Sequence, residues 1–457
     1  MKSRWIGLVG FLLFTGTFFS LAPIPRSVPD LGGSSAWGYD DDKLPVLKNA
    51  TVTTLITTPR SILGLTGDNH RNLYTAGAGT PPCPVWQINL HNPSLTPVGF
   101  VVPPVGNCSF MGIASNKNGD LFMVDGGGDQ ATATGGTIYT FSPSVKNPPN
   151  AAIFASGAPG ANGIAFDKKG NLWASDGVTA QGRVWKITGP GANCTSTPAI
   201  NCEEVFRVQP MANEVNLVNG VGGVGRDVRW LPQGTITVTP TSRIAAVNTT
   251  GCPTPPGPPC ILGSTSLVAN GLAFDKDGDQ LFIADTARGA IWKATFDRDG
   301  HLKSKTGCDT TFTPNTLCLD NVFVAHPYLD GADGIALDRD GNIWVVPVER
   351  QAIVVATKHG KVIEVFRNPV NSPSGVGLRN AGDQSVGNNH ILETPTSPFI
   401  IGKVFCTAQA DYGLRDNSPR GTGEVLGGQP QDGPIPLAKI SCMDQELKIP
   451  GLRLPIN

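Results

Sequence analysis

The stretch NGLAFDKDGDQLFIAD, Asn270 to Asp285, decides the fold. An alternating apolar run meets a tight turn, and a second apolar run leaves it. Asp tolerates the turn's first position, and Gly supplies the positive φ that closes it, so the stretch reads as a β-hairpin. Three more stretches repeat the pattern: MGIASNKNGDLFMVD from Met111, NGIAFDKKGNLWASD from Asn162 and DGIALDRDGNIWVV from Asp333. A second pair of short apolar runs follows most copies, as in GTIYTF from Gly136, GRVWKI from Gly182 and GAIWKA from Gly289. Four short strands per repeat is the pattern of a propeller blade.

Looser copies fill the gaps: ILGLTGDNHRNLYTAG from Ile62, RDVRWLPQGTITVT from Arg226 and SGVGLRNAGDQSVGNNHILE from Ser374. The repeat positions Gly64, Gly112, Gly163, Asp227, Gly271, Gly334 and Gly375 recur at roughly 40–65 residues, the long end for a blade. The longer intervals hold Pro-rich, Cys-containing insertions suited to surface loops. The expected fold class is therefore all-β: a six-bladed propeller of four-stranded antiparallel sheets. The first signature is read as part of an N-terminal strand that closes the ring, and seven blades, one per signature, is the alternative.

The 56 glycines and 39 prolines in 457 residues suit many turns rather than long helices. Formal net charge is −1, without a Lys/Arg cluster, which argues against nucleic acid as a partner. Lys2 and Arg4 precede an apolar run from Trp5 to Leu21, the pattern of a signal peptide cut after Ala22, with an uncleaved membrane anchor as the alternative. No later segment reads as a membrane span. The expected organisation is a signal peptide at 1–22, a linker at 23–50, the propeller at 51–405 and a Gly/Pro-rich tail at 406–457. The expected location is secreted or periplasmic. Ten cysteines, without a CxxC, agree with export. Proximity suggests the pairs Cys83–Cys108, Cys194–Cys202, Cys252–Cys260, Cys308–Cys318 and Cys406–Cys442.

In a propeller the first residues of each innermost strand surround the mouth of the central channel. Here these are Asn162, Arg226, Asn270, Asp333 and Ser374. Oxygen-bearing side chains from several blades meeting on one axis suit a hard cation such as calcium. Asn162, Asn270 and Asp333 are the expected metal ligands. Asp333 is also the candidate to move a proton, while Arg226 could hold a carboxylate or an oxyanion. Asp125, Asp176 and Asp285 recur at one place in the repeat, and Asp167, Asp275 and Asp338 at another, which marks both sets as turn residues. Gly220 to Gly225 matches G-x-G-x-x-G but leads into an extended run rather than a helix, so it fails as a dinucleotide loop. Trp173, Trp185, Trp292 and Trp344 read as packing between blades.

Ala269 to Leu302 and Gly331 to Val346 together resemble the family of senescence marker protein, gluconolactonase and luciferin-regenerating enzyme. The first looks like that family's P-N-G blade and the second like its P-D-G blade. The resemblance implies a six-bladed, calcium-dependent propeller, with Asn270 as a ligand and Asp333 as ligand and base. Two positions depart. No carboxylate stands at Phe110-Met111 or Ser61 for the family's first-blade Glu. Arg226-Asp227 aligns with its N-D dipeptide, which the resemblance implies is substrate-binding. The expected function is metal-assisted hydrolysis of a lactone or ester in the channel. The alternative is a non-catalytic extracellular propeller that binds a protein or glycan. Asn270 and Asp333 favour the first, and the two departures favour the second.

Overall fold

The computed structural model describes residues 50–68, 72–126, 136–177, 179, 181–210, 268–310, 312–329, 331–348, 351–367, 392, 394–410 and 438–453, together with backbone strands at 225–230 and 236–241. Six sheets, each of four antiparallel strands, make the blades. Blade 1 is Thr66–Gly67, Leu73–Ala76, Cys83–Ile88 and Leu95–Val101. Blade 2 is Phe110–Ser115, Leu121–Asp125, Thr137–Phe141 and Ala152–Ser156, with Ala192–Asn193 added in parallel at its outer edge. Blade 3 is Ala161–Phe166, Leu172–Asp176, Arg183–Ile187 and Cys202–Arg207. Blade 4 is Ala269–Phe274, Gln280–Asp285, Ala290–Thr295 and Val322–Ala325. Blade 5 is Ala332–Leu337, Ile343–Pro347, Ala352–Ala356 and Val362–Arg367. Blade 6 takes Pro395–Ile401, Val404–Gln409 and Lys439–Met443, and borrows its outer strand, Val52–Thr57, from the start of the described chain.

The six inner strands touch in succession, and the last meets the first. Six apolar cores fill the six interfaces between blades. Each blade is thus covered on both faces, which is why its second strand is an almost unbroken apolar run. Leu172–Asp176 and Ile343–Pro347 are buried at every residue. Trp173 of blade 3 stands edge-on to Phe274 and Phe296 of blade 4, at 5.7 and 5.1 Å. The tryptophans therefore pack between blades, as expected.

Six blades is the number expected, but the strands are distributed differently. The Ile62 signature supplies a full blade, and the closing strand lies upstream of it. Among the described residues the Arg226 signature makes no four-stranded blade: Gly225–Trp230 pairs with Ile236–Thr241, and the ring passes from Ala161–Phe166 to Ala269–Phe274. The Ser374 signature lies outside the described residues, and the sixth inner strand is Pro395–Ile401. Two strands of blade 6, Val404–Gln409 and Lys439–Met443, lie wholly or partly within residues 406–457.

Four of the expected disulfides are present: Cys83–Cys108, Cys194–Cys202, Cys308–Cys318 and Cys406–Cys442. Cys252 and Cys260 lie outside the described residues, as does the apolar N-terminal run. Among the described residues no helix is long and apolar enough to cross a membrane.

Candidate metal centre at the channel mouth

Five of the six inner strands carry the same irregularity. Their pairing with the second strand slips between Phe110 and Ile113, Ala161 and Ile164, Ala269 and Leu272, Ala332 and Ile335, and Pro395 and Ser397. Each slip is a β-bulge, which frees residues from the ladder and re-aims their side chains. The freed residues are Met111-Gly112, Asn162-Gly163, Asn270-Gly271, Asp333-Gly334 and Thr396. The repeated X-Gly pair thus has a structural cause. A Cβ on Gly163 would lie 2.3 Å from the Asn270 carbonyl oxygen, and one on Gly271 would lie 2.5 Å from that of Asp333. Gly112, Gly334 and Gly64 stand as close to the carbonyls of Asn162, Thr396 and Met111. Glycine lets adjacent inner strands abut, and the residue before it joins the ring at the mouth.

Read around the channel, the ring is Leu63, Met111, Asn162, Asn270, Asp333 and Thr396. The three expected ligands are consecutive in it. Thr396 was missed in the sequence because its blade lacks the X-Gly pair; Ser397 stands where the glycine would be. Met111 occupies the blade 2 place where the family's glutamate was sought. Arg226 and Asp227 are not ring members. Their backbone pairs with Pro240 and Thr239 in a separate hairpin, and their side chains lie outside the described residues. That hairpin belongs to the connection between the outer strand of blade 3 and the inner strand of blade 4. Arg207 faces Arg183, Val184 faces Ser175 and Asp176 faces Ala161, so the connection leaves blade 3 at the mouth end.

Buried hydroxyls satisfy backbone groups along the inner strands. Ser175 Oγ donates to the Asn270 carbonyl at 2.5 Å and accepts the Gly163 N–H at 3.0 Å. Thr396 Oγ1 donates to the Leu63 carbonyl at 2.7 Å. Thr286 Oγ1 donates to the Ala332 carbonyl at 2.6 Å and accepts from Asn270 Nδ2 at 3.1 Å. Asn270 is 2% exposed, and Asp333 is half-buried. Desolvation pushes the Asp333 carboxyl well above the ordinary carboxylate range, and a hydrogen bond from the Asn270 side chain offsets this only in part. Among the described residues no cationic side chain stands against that carboxyl.

The other recurrent aspartates act in turns. Asp167 Oδ1 accepts the N–H groups of Lys169 and Asn171, and its Oδ2 accepts the Trp173 indole N–H at 3.0 Å. Asp338 does the same for Asp340, Asn342 and Trp344. Asp285 holds the turn after its strand through the Arg288 N–H and pairs with the Arg288 guanidinium at 2.7 Å. His326 Nδ1 accepts the Tyr328 N–H at 3.0 Å, which braces the connection into the Asp333 strand. Gly225, last of the G-x-G-x-x-G run, opens a strand, so the dinucleotide reading is excluded by its context.

Residues 261–383 match the family described as SMP-30/Gluconolactonase/LRE-like region. The matched residues contain both Asn270 and Asp333. No curated protein matches the chain. Among solved structures, a luciferin-regenerating enzyme is 13% identical, covering 88% of this chain and 97% of its own, with a TM-score of 0.44. The calcium-binding protein regucalcin from Agrobacterium tumefaciens is 14% identical, covering 88% and 95%, with a TM-score of 0.43. A gluconolactonase from Xanthomonas campestris is 12% identical, covering 87% and 91%, with a TM-score of 0.43. At these scores the likenesses carry no argument, and the six-bladed ring rests on the strand pairing.

Proposed function

We propose that the protein is an exported gluconolactonase-like propeller that hydrolyses a lactone or similar ester with the help of a divalent cation, calcium by preference, at the channel mouth. The observation that carries this reading is the desolvated Asp333 carboxyl, which among the described residues has an amide neighbour but no cationic one. Burying a carboxylate without a compensating charge is costly, and a metal ion supplies that charge. The donor set fits: Asn162, Asn270, Asp333 and Thr396 offer only oxygen atoms, as a hard cation prefers. The match of residues 261–383 to the SMP-30/gluconolactonase/LRE-like family, which spans Asn270 and Asp333, supports the same reading.

Asn162, Asn270 and Asp333 would hold the cation, with Thr396 beside them. The ion would polarise an ester carbonyl. The Asp333 carboxylate would take a proton from the attacking water and return it to the leaving oxygen. Leu63 and Met111 give the other side of the ring an apolar surface suited to the hydrocarbon part of a substrate. Arg226 and Asp227, on a connection that leaves the ring at the mouth end, are the proposed polar contacts for a substrate, Arg226 for a carboxylate or oxyanion and Asp227 as acceptor for a hydroxyl. Export is supported by the basic-then-apolar N-terminus and by the four disulfides, which persist in oxidising compartments.

One observation favours the alternative, a propeller that binds an extracellular protein or glycan without catalysis. Two of six ring positions are apolar, and the ring holds one formal negative charge. An assay of aldonolactones, alkyl-substituted lactones and aryl esters separates the two readings. The hydrolase reading expects calcium-dependent turnover that Asp333→Asn abolishes with little change in unfolding midpoint measured in chelator. Absence of turnover across the panel, with no calcium-induced rise in melting temperature, would support the binding propeller.

A further inference from the structure

Thr286 lies just beyond the end of the second strand of blade 4, is 2% exposed, and was not singled out by the repeat. Its hydroxyl has one proton and can accept as well. The Ala332 carbonyl, 2.6 Å away, can only accept, so the proton goes there. The contact with Asn270 at 3.1 Å must then be one that the hydroxyl accepts, which puts Nδ2 rather than Oδ1 against Thr286. The amide's bond to the Asp333 carboxyl agrees, because a carboxylate also needs a donor. Both amide protons are thereby directed to Thr286 and Asp333, and Oδ1 is the atom left to serve a cation. The orientation of a side-chain amide is fixed by its partners, and here they leave no choice.

The corresponding residues of blades 2, 3 and 5 are Gly126, Gly177 and Val348, each of which sends its N–H back to the segment before its own inner strand. None carries a hydroxyl. In blade 3 the Asn162 amide occupies the space instead, with Nδ2 2.4 Å from where a Gly177 Cβ would be. The hydroxyl is therefore particular to the blade whose asparagine neighbours Asp333.

We propose that Thr286 is a positioning residue for the metal centre. It sets the Asn270 amide so that oxygen, and not NH2, is offered to the ion, and it ties down Ala332 beside Asp333. The inference rests on the divalent-cation reading above. Partners that orient a ligand are worth about 10–100-fold in metal affinity.

The test is calorimetric titration of calcium into chelator-treated full-length protein. Thr286→Val, which keeps the shape and removes both hydrogen bonds, should weaken calcium binding by about tenfold or more. Thr286→Ser should stay within about threefold of wild type, on the same scale. A carboxylate has two like oxygens and needs no orienting, so in an Asn270→Asp background the valine penalty should shrink to less than about threefold. A penalty equal in both backgrounds means a merely structural role and overturns the inference. If Thr286→Val does not fold, Thr286→Ala is titrated against the same thresholds. Wild type that binds calcium, with Thr286→Val binding equally well, overturns the inference alone. Wild type that binds no divalent cation overturns the underlying reading and this inference with it.

Discussion

Gly163 and Gly271 act through what they lack. Each stands where a carbonyl from the next blade comes within van der Waals contact of the missing Cβ. Gly163→Ala should force two inner strands apart and cost about 3 kcal/mol, the upper range for overpacking. Gly119→Ala is the control. Gly119 has open space around it but a φ of +85°, so the cost should be about 1 kcal/mol, from the backbone alone. Chemical denaturation of both variants measures the difference. Equal costs would contradict the close-contact account. Asp275 differs from Asp167 and Asp338 in the same turn. Its blade has Phe282 where the others have an indole N–H donor, and Asp279 stands beside it. Burial, with Asp279 adding to it, raises the Asp275 carboxyl from 3.8 to about 6. A carboxyl that binds its proton more tightly when folded contributes stability below its unfolded pKa, and that stability is lost as pH rises through about 6. Asp279→Asn should therefore stabilise the protein at pH 8 by about 1 kcal/mol and change little at pH 4, as thermal melts at the two pH values would record. A variant less stable at pH 8 would mean that the two carboxyls do not repel.

At the scale of elements, closure of the ring depends on Val52–Thr57 pairing with Lys439–Met443, and Cys406–Cys442 staples that second strand to its neighbour. The bridge spans 36 residues, against 8 for Cys194–Cys202 in a connection at the far end of blade 3. In the chain-entropy view the longer loop gains more, by about 1 kcal/mol. Replacing both cysteines of the 406–442 pair by serine should cost about 3–4 kcal/mol, and replacing the 194–202 pair about 1 kcal/mol less. Urea denaturation tests the order. The two elements also mark what the sequence could and could not reveal. The hairpins at Met111, Asn162, Asn270 and Asp333 were legible because a buried strand, a glycine turn and a second buried strand form a local signal. The closing strand was not, since VTTLIT reads as an edge strand anywhere and its partner lies almost 400 residues away. The Arg226 hairpin misled for the converse reason: one blade's first two strands and a free hairpin look alike until the next pair is sought.

At the scale of the whole molecule, the ring converts a repeat into a site. The ring positions of Asn162, Asn270 and Asp333 could be named from the sequence because each precedes the glycine that the bulge requires. Thr396 could not, because its blade replaces that glycine by serine, and Thr286 carries its effect through hydrogen bonds that no spacing encodes. The apolar half of the mouth, Leu63 and Met111, predicts that the substrate presents hydrocarbon to blades 1 and 2. Met111→Gln should then raise KM for long-chain lactones while leaving that for short ones within about twofold, since one apolar contact is worth about 1–3 kcal/mol. Steady-state kinetics over a chain-length series reads this directly, and an equal effect on all chain lengths would remove Met111 from the substrate surface.

The account stands or falls on where a cation binds. Anomalous scattering from crystals of the full-length protein soaked in manganese would place it. The account predicts a peak at the channel mouth within coordination distance of the Asp333 carboxylate and the Asn270 amide oxygen, lost in Asp333→Asn. Density confined to the surface cluster of Asp297, Asp299 and His301, or no density at all, would contradict it.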